Sequence, residues 1–477
     1  MDPPSPLYHV TRFTLTFPPG IDIQGLPDRV WWTVFLLCLH PQWPYLAPCE
    51  VRLPVRLGPG EAEFWRRLAA SALDTIEAYR TGETPGRSVE LVDDGPLLAP
   101  FVSMTDIGAC ATAFSGGKDS LFQVGLLAEL TERPLVVTTT SPLPGLFDHE
   151  TPRRRHVLAE VGRRRPLTLV EVTSDLRATW ENHYPRQLGY PVSVNETTDT
   201  FLYLSALLVV SMARGATHLF LASEAELQES VLREGRVVRL RHFMYSAATQ
   251  RAISAWLAPG GLEYGSLTWP LHSAEILQLL WRRYPDLADL QYSCWKVGPT
   301  QAACSRCSQC FRIALGILAA GGHPERVGID VLTAVEGRRA WRPDWPAAED
   351  ALPEDRVRAD LSAGVIRSIQ ATPVARVLAT ITRSGPRRLT RRRTWAALAG
   401  YQQLRRRLTA CVVPPPGYQA GFVRLVDGLV RDRLAAIFAS CLPPAPEPSY
   451  AAQLANSEAL TRWIAAPLDR ARSPAAE

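Results

Sequence analysis

With 477 residues the chain has room for two or three domains and a sizeable buried core, and a formal net charge of +5 is too mild to force a nucleic-acid partner. Its longest apolar runs, such as 201–212, are too short to span a bilayer, and the acidic, proline-rich opening Met1-Asp2-Pro3-Pro4-Ser5-Pro6 is unlike a signal peptide. Nine cysteines fit a reducing compartment better than a disulfide scaffold, so a cytoplasmic protein with no membrane partner is expected.

Residues 1–104 carry strand-like runs at 8–17, 30–39 and 50–57, then a helical pattern with Phe64, Leu68, Ala72 and Ile76 four apart on one face. They read as an α+β extension with a structural or docking role. An apolar run at 107–114 predicts a short buried strand, and 121–130 predicts a helix. Between them stands Ser115-Gly116-Gly117-Lys118-Asp119-Ser120. A strand feeding a glycine-rich turn at a helix N-terminus makes a phosphate cradle. Gly116 and Gly117 let backbone approach an anion, and free N–H groups with the helix dipole hold it. The Walker A pattern is absent. Of the 52 basic residues only positions 118 and 296 are lysine. A mobile ammonium is poorly copied by a guanidinium fork, which marks Lys118 as a phosphate contact.

Further strands are expected at 134–139, 167–172 and 217–222, alternating with helical patterns. Alternation of this kind predicts an α/β fold, a doubly wound parallel sheet over 105–320, with ligands at the carboxyl edge of the strands. The loop 115–120 and the segments 138–140 and 222–226 fall on that edge. Glu224 and Glu226 are candidates to meet a second substrate; an ordinary polar loop is the competing reading.

Cys294, Cys304, Cys307 and Cys310 follow as C-x9-C-x2-C-x2-C. Four gathered thiolates suit tetrahedral Zn²⁺ with no open position, hence a structural knuckle, with a redox or iron–sulfur cluster as alternatives. Lys296, Arg306 and Arg312 offset part of the thiolate charge. Cys38, Cys49, Cys110, Cys411 and Cys441 read as small core residues. Residues 321–477 form a helical, Pro/Arg-rich region, punctuated by Pro414-Pro415-Pro416 and Pro443-Pro444, with a frayed tail beyond Pro467. It is expected to cover the site, to make a homodimer contact or to bind a partner. The arginine runs at 153–155, 163–165, 391–393 and 405–407 read as solvated helix faces, since aromatic residues are sparse among them.

The hexapeptide 115–120 resembles the PP-loop of ATP pyrophosphatases. Together with the cysteine spacing, Phe201-Leu202-Tyr203-Leu204-Ser205-Ala206, Thr268-Trp269-Pro270-Leu271 and Cys310-Phe311-Arg312, it resembles the 7-cyano-7-deazaguanine synthase family over about 107–318. That resemblance implies an ATP-dependent C–N-bond-forming ligase. It would adenylate a deazaguanine carboxylate, release pyrophosphate and pass the acyl group to an amine. It further implies Lys118 and Asp119 as catalytic, Asp119 on Mg²⁺, Ser115 and Ser120 on phosphate oxygens, and Thr139 beside adenine. Three segments depart from the family: 195–200 replaces a Pro-Gly-Arg-Asn stretch, 222–229 replaces a Gly-Tyr-Pro-Asp-Cys-Arg stretch, and Ser273-Ala274-Glu275 stands where a lysine is expected.

With both extensions, the chain resembles long synthase-like proteins of bacterial anti-phage defence systems, some of which modify the N-terminus of a partner protein from the same operon. Ammonia or such a protein is the expected acceptor. An RNA-modifying PP-loop enzyme and a non-catalytic nucleotide sensor are the alternatives.

Overall fold

The computed structural model describes residues 12–58, 60–78, 88–101, 109–141, 150–176, 194–225, 230–233, 236–239, 243–245, 247–294, 303–337, 363–384, 391–409, 416–423, 426 and 428–445. Its strands are β1 (Leu15–Thr16), β2 (Cys49–Leu53), β3 (Val89–Asp93), β4 (Cys110–Ala113), β5 (Leu135–Thr140), β6 (Thr168–Ser174), β7 (His218–Phe220), β8 (Ser230–Arg233), β9 (Arg236–Arg239) and β10 (Glu263–Gly265). Six of them form the central sheet in the order β1-β6-β5-β4-β7-β10, parallel throughout except for β1. The fold is therefore α/β with a mainly parallel sheet.

Helices cover both faces, as a parallel sheet demands. Alternate strand residues point to opposite sides: Ala111, Leu135, Val137 and Leu219 to one core, Cys110, Val136 and Phe220 to the other. Against the first lie α1 (Asp28–Leu39), α2 (Glu61–Ala78), α5 (Val194–Arg214) and α6 (Ala247–Leu257). Against the second lie α3 (Lys118–Leu130), α4 (Glu150–Arg164), α7 (Ser273–Arg283) and the late helix α13 (Gly428–Cys441). A third core joins α8 (Ser308–Ala320) to α9 (Val331–Gly337), α10 (Ala363–Ala371), α11 (Val374–Ser384) and α12 (Arg391–Leu408). The regular elements described after residue 320 are helices, and outside them Tyr418 pairs with Pro444 in an isolated bridge; Pro414, Pro415 and the tail beyond Pro467 lie outside the described residues.

The expected strand at 30–39 is instead the helix α1. Val30, Val34, Leu37 and Cys38 are all buried and recur at helical spacing, and that face packs on α5. The N-terminal segment also shares the main core: Leu36, Leu37 and Trp65 pack with Leu204, Leu207 and Trp256. β1 extends the central sheet at its β6 edge.

A buried ion pair ties these parts together. The Arg29 guanidinium donates to both Glu61 carboxylate oxygens, at 2.8 and 2.7 Å, with side chains 5% and 8% exposed. Trp256 Nε1–H donates to the same carboxylate at 3.2 Å, and Arg29 lies 4.4 Å from the Phe101 ring centroid. Removing one partner strands a buried charge. Arg29→Ala is expected to lose about 3–5 kcal/mol in urea unfolding, whereas Arg29→Met with Glu61→Leu loses far less.

Candidate active site and metal centre

The hexapeptide 115–120 follows β4 and opens α3, as the sequence implies. Gly116 has φ +81°, a left-handed turn suited to glycine, and Gly117 is the N-cap with φ −73°. The Ser120 hydroxyl accepts from Ser115 N–H at 3.3 Å and donates to the Gly117 carbonyl at 3.1 Å, so it braces the loop. Ser115 is exposed. Buried Gln123 locks α3 to the strand layer, donating to Thr112 Oγ1 at 2.8 Å and accepting from Leu267 N–H at 3.0 Å. At the far end of α3, Arg433 of α13 donates to the carbonyls of Leu130 and Glu129, at 2.6 and 2.5 Å. A cation there satisfies two of the last carbonyls and offsets the negative end of the helix dipole.

Strand order sets the location of the site. From β4 the chain crosses to β5 on one side, and from β6 it crosses to β7 on the other. The loops leaving β4 and β7 diverge, opening the crevice where α/β sheets bind ligands. Lys118 rises from the first loop and Glu224 from the second. The Lys118 ammonium, 3% exposed, donates to Asp119 Oδ1 at 2.6 Å and to Glu224 across the crevice. Two carboxylates thus share one ammonium. Burial and then the Glu224 charge push Asp119 up to about 6, against the pull of Lys118. Burial also pushes Glu224 up, but Lys118 and the Arg312 charge outweigh it and hold Glu224 below the usual carboxylate range.

Thr139 is buried at the carboxyl half of β5, and its carbonyl accepts from Arg154 at 2.7 Å. Glu226, Lys296 and Ile107 lie outside the described residues.

The four cysteines converge: their Sγ atoms all lie within 4.8 Å of one another. Cys304 and Cys310 stand 3.8 Å apart, and Cys307 and Cys310 3.5 Å. Sulfurs bound at about 2.3 Å around a tetrahedral zinc ion sit about 3.8 Å apart, so the set fits that metal. Ser305, at φ +56°, turns the knuckle, and Cys307 caps α8 by accepting from Cys310 N–H at 3.4 Å. The thiols conflict with one another: their mutual hydrogen bonds drive Cys304 down and Cys307 and Cys310 up. One divalent cation at the centre would stabilise all four as thiolates.

Sequence reasoning missed the link between the two motifs. Tyr292 N–H donates to the Gly116 carbonyl at 2.9 Å, and Ser293 Oγ accepts from Lys118 N–H at 3.3 Å. Both residues immediately precede Cys294. The segment that leads into the cysteine cluster therefore clamps the glycine turn at 116–118. The only signal in the chain was adjacency to Cys294.

Comparison of the chain with protein-family models, with curated proteins and with solved structures returned no match. No helix among the described residues is long and apolar enough to cross a membrane.

Proposed function

We propose that the chain is an ATP-dependent ligase that adenylates a deazaguanine-type carboxylate and transfers the acyl group to an amine. The observation that carries this reading is the loop 115–120 at the switch point of the sheet, with Lys118 buried between Asp119 and Glu224. Gly117 adds weight. Its backbone is ordinary, and a Cβ there would meet nothing closer than 3.6 Å, so the fold does not demand glycine. A phosphate closing on the N–H groups of α3 does demand it.

In this reading the N-terminus of α3 and Lys118 hold the β- and γ-phosphates, and Thr139 flanks the adenine. Asp119 is the residue that would hold Mg²⁺, which offsets charge on the departing pyrophosphate. A carboxylate oxygen of the acid attacks the α-phosphorus, and the α–β bridging oxygen leaves with pyrophosphate. The amine nitrogen then attacks the acyl carbon, AMP departs, and the nitrogen sheds its proton to a nearby base. The four cysteines are the residues that would hold a zinc ion, and Tyr292 and Ser293 beside them keep the loop in register. The acceptor is ammonia or the N-terminal amine of a partner protein from an anti-phage defence operon.

The test is pyrophosphate release from Mg-ATP with and without 7-carboxy-7-deazaguanine. Release is expected to require the acid and to fall about 10²-fold in Asp119→Asn. Because Asp119 loses its proton near pH 6, wild-type kcat/KM should drop about tenfold per pH unit below that value. The Asn variant should lack this limb. Equal release without the acid, or from the variant, removes the assignment.

A further inference from the structure

The net charge of +5 conceals an asymmetry along the chain. Residues 361–426 hold twelve arginines and no aspartate, glutamate or lysine. Without those twelve, the 40 basic residues left of 52 are outnumbered by 47 acidic ones. The described part of this stretch includes α10, α11 and α12, joined in one apolar core with α8 and α9. Two of its arginines are matched to carboxylates. Arg367 donates to buried Glu275 at 2.8 Å, and Arg393 pairs with Glu336, which fixes the start of α12 on α9. Arg376, Arg383, Arg392, Arg405 and Arg406 have no carboxylate partner among the described residues.

The two faces of α12 are unlike. Leu398, Tyr401, Leu404 and Leu408 are buried in the core. Arg392, Trp395, Ala399, Gln403 and Arg406, three or four residues apart, form an exposed stripe on the other side, about 21 Å long. Trp395 is 62% exposed, the most exposed large hydrophobic side chain among the described residues.

We propose that this outer face of α12 binds single-stranded nucleic acid. The guanidiniums at 392 and 406 meet phosphates, and the indole at 395 stacks on a base between them. A duplex keeps its bases stacked on one another and offers the indole none. A bilayer would need the apolar face of the helix, which the core already holds. The unmatched arginines of α11 and α12 supply the wider field that draws in a polyanion. Nothing in this proposal depends on the loop at 115–120 using ATP.

Fluorescence anisotropy on the full chain tests it, with labelled oligo(U) and oligo(dT), and with unlabelled strand, duplex, poly-glutamate and phosphatidylserine vesicles as competitors. The strands are expected to bind, and unlabelled strand to compete best. Preference between oligo(U) and oligo(dT) tells RNA from DNA as the source. Trp395→Ala should weaken binding about tenfold, and Trp395→Phe should restore most of that loss. Arg392→Gln with Arg406→Gln should flatten the slope of log affinity against log salt by about 1.4, the share of two phosphates on a single strand. These side chains are exposed, so the ligand-free unfolding midpoint should hold.

No binding of either strand at low salt overturns the proposal, as does affinity that neither variant changes. Loss in the arginine pair with none in Trp395→Ala leaves a general polyanion contact and overturns it too. Stronger competition by poly-glutamate would make the face a site for an acidic protein, and stronger competition by vesicles would make it a membrane contact; both results remove the nucleic-acid assignment.

Discussion

Lys118→Ala is expected to lower pyrophosphate release about 10²–10³-fold, the scale on which one preorganised charge at a reacting centre acts. The ammonium is buried and held from two sides, by Asp119 at 2.6 Å and by Glu224, so its position is fixed before any ligand arrives. Lys118→Arg should not rescue activity. A planar five-donor fork needs more room than a point charge and cannot repeat both contacts from a 3%-exposed site. In the alanine variant two carboxylates face each other without a counter-charge, and the fold relieves this by keeping Asp119 protonated to higher pH. Steady-state rates and analogue affinity, measured together, check the expectation. A loss confined to KM would reduce Lys118 to a binding contact, and no loss would remove it from the site.

Metal removal is the second large effect. Chelation, or Cys310→Ser, is expected to lower the unfolding midpoint by on the order of 10 °C, since metal-binding free energy in a four-cysteine site is folding free energy. More informative is what else disappears. The clamp at Gly116 and Lys118 comes from residues 292 and 293, one step from Cys294, so stripped protein should lose ATP-analogue binding before it loses its far-ultraviolet circular dichroism. The pairing of metal content and nucleotide affinity across a chelator titration measures this. Nucleotide affinity that survives full metal loss would show that the loop holds its own shape.

Much of the sheet was legible because its strands carry the strongest local pattern. The runs at 107–114, 134–139, 167–172 and 217–222 correspond to β4, β5, β6 and β7, each short, apolar and flanked by helix. The helix α1 was not legible, because Val30, Trp31, Trp32, Val34 and Phe35 are β-favouring residues and the helical spacing is visible only once the buried face is known. β10 is Glu263-Tyr264-Gly265, a charged residue and a glycine around one aromatic, so no apolar run marks it as a strand. At the site, Lys118, Asp119 and the cysteines announced themselves by spacing. Glu224 was one of two candidates on its loop, and the fold brings it onto Lys118 from 106 positions away. Ser293 carried no sequence signal, since a clamping hydroxyl is defined by what surrounds it.

The bond from Tyr292 to Gly116 runs backbone to backbone. Side-chain replacement at 292 leaves its N–H in place, so this mechanical joint between knuckle and loop is invisible to ordinary mutational scanning. Only proline at that position, or a one-residue insertion or deletion ahead of Cys294, would break it. The side chain at 292 can thus vary as far as this joint is concerned, whereas the number of residues separating it from Cys294 cannot.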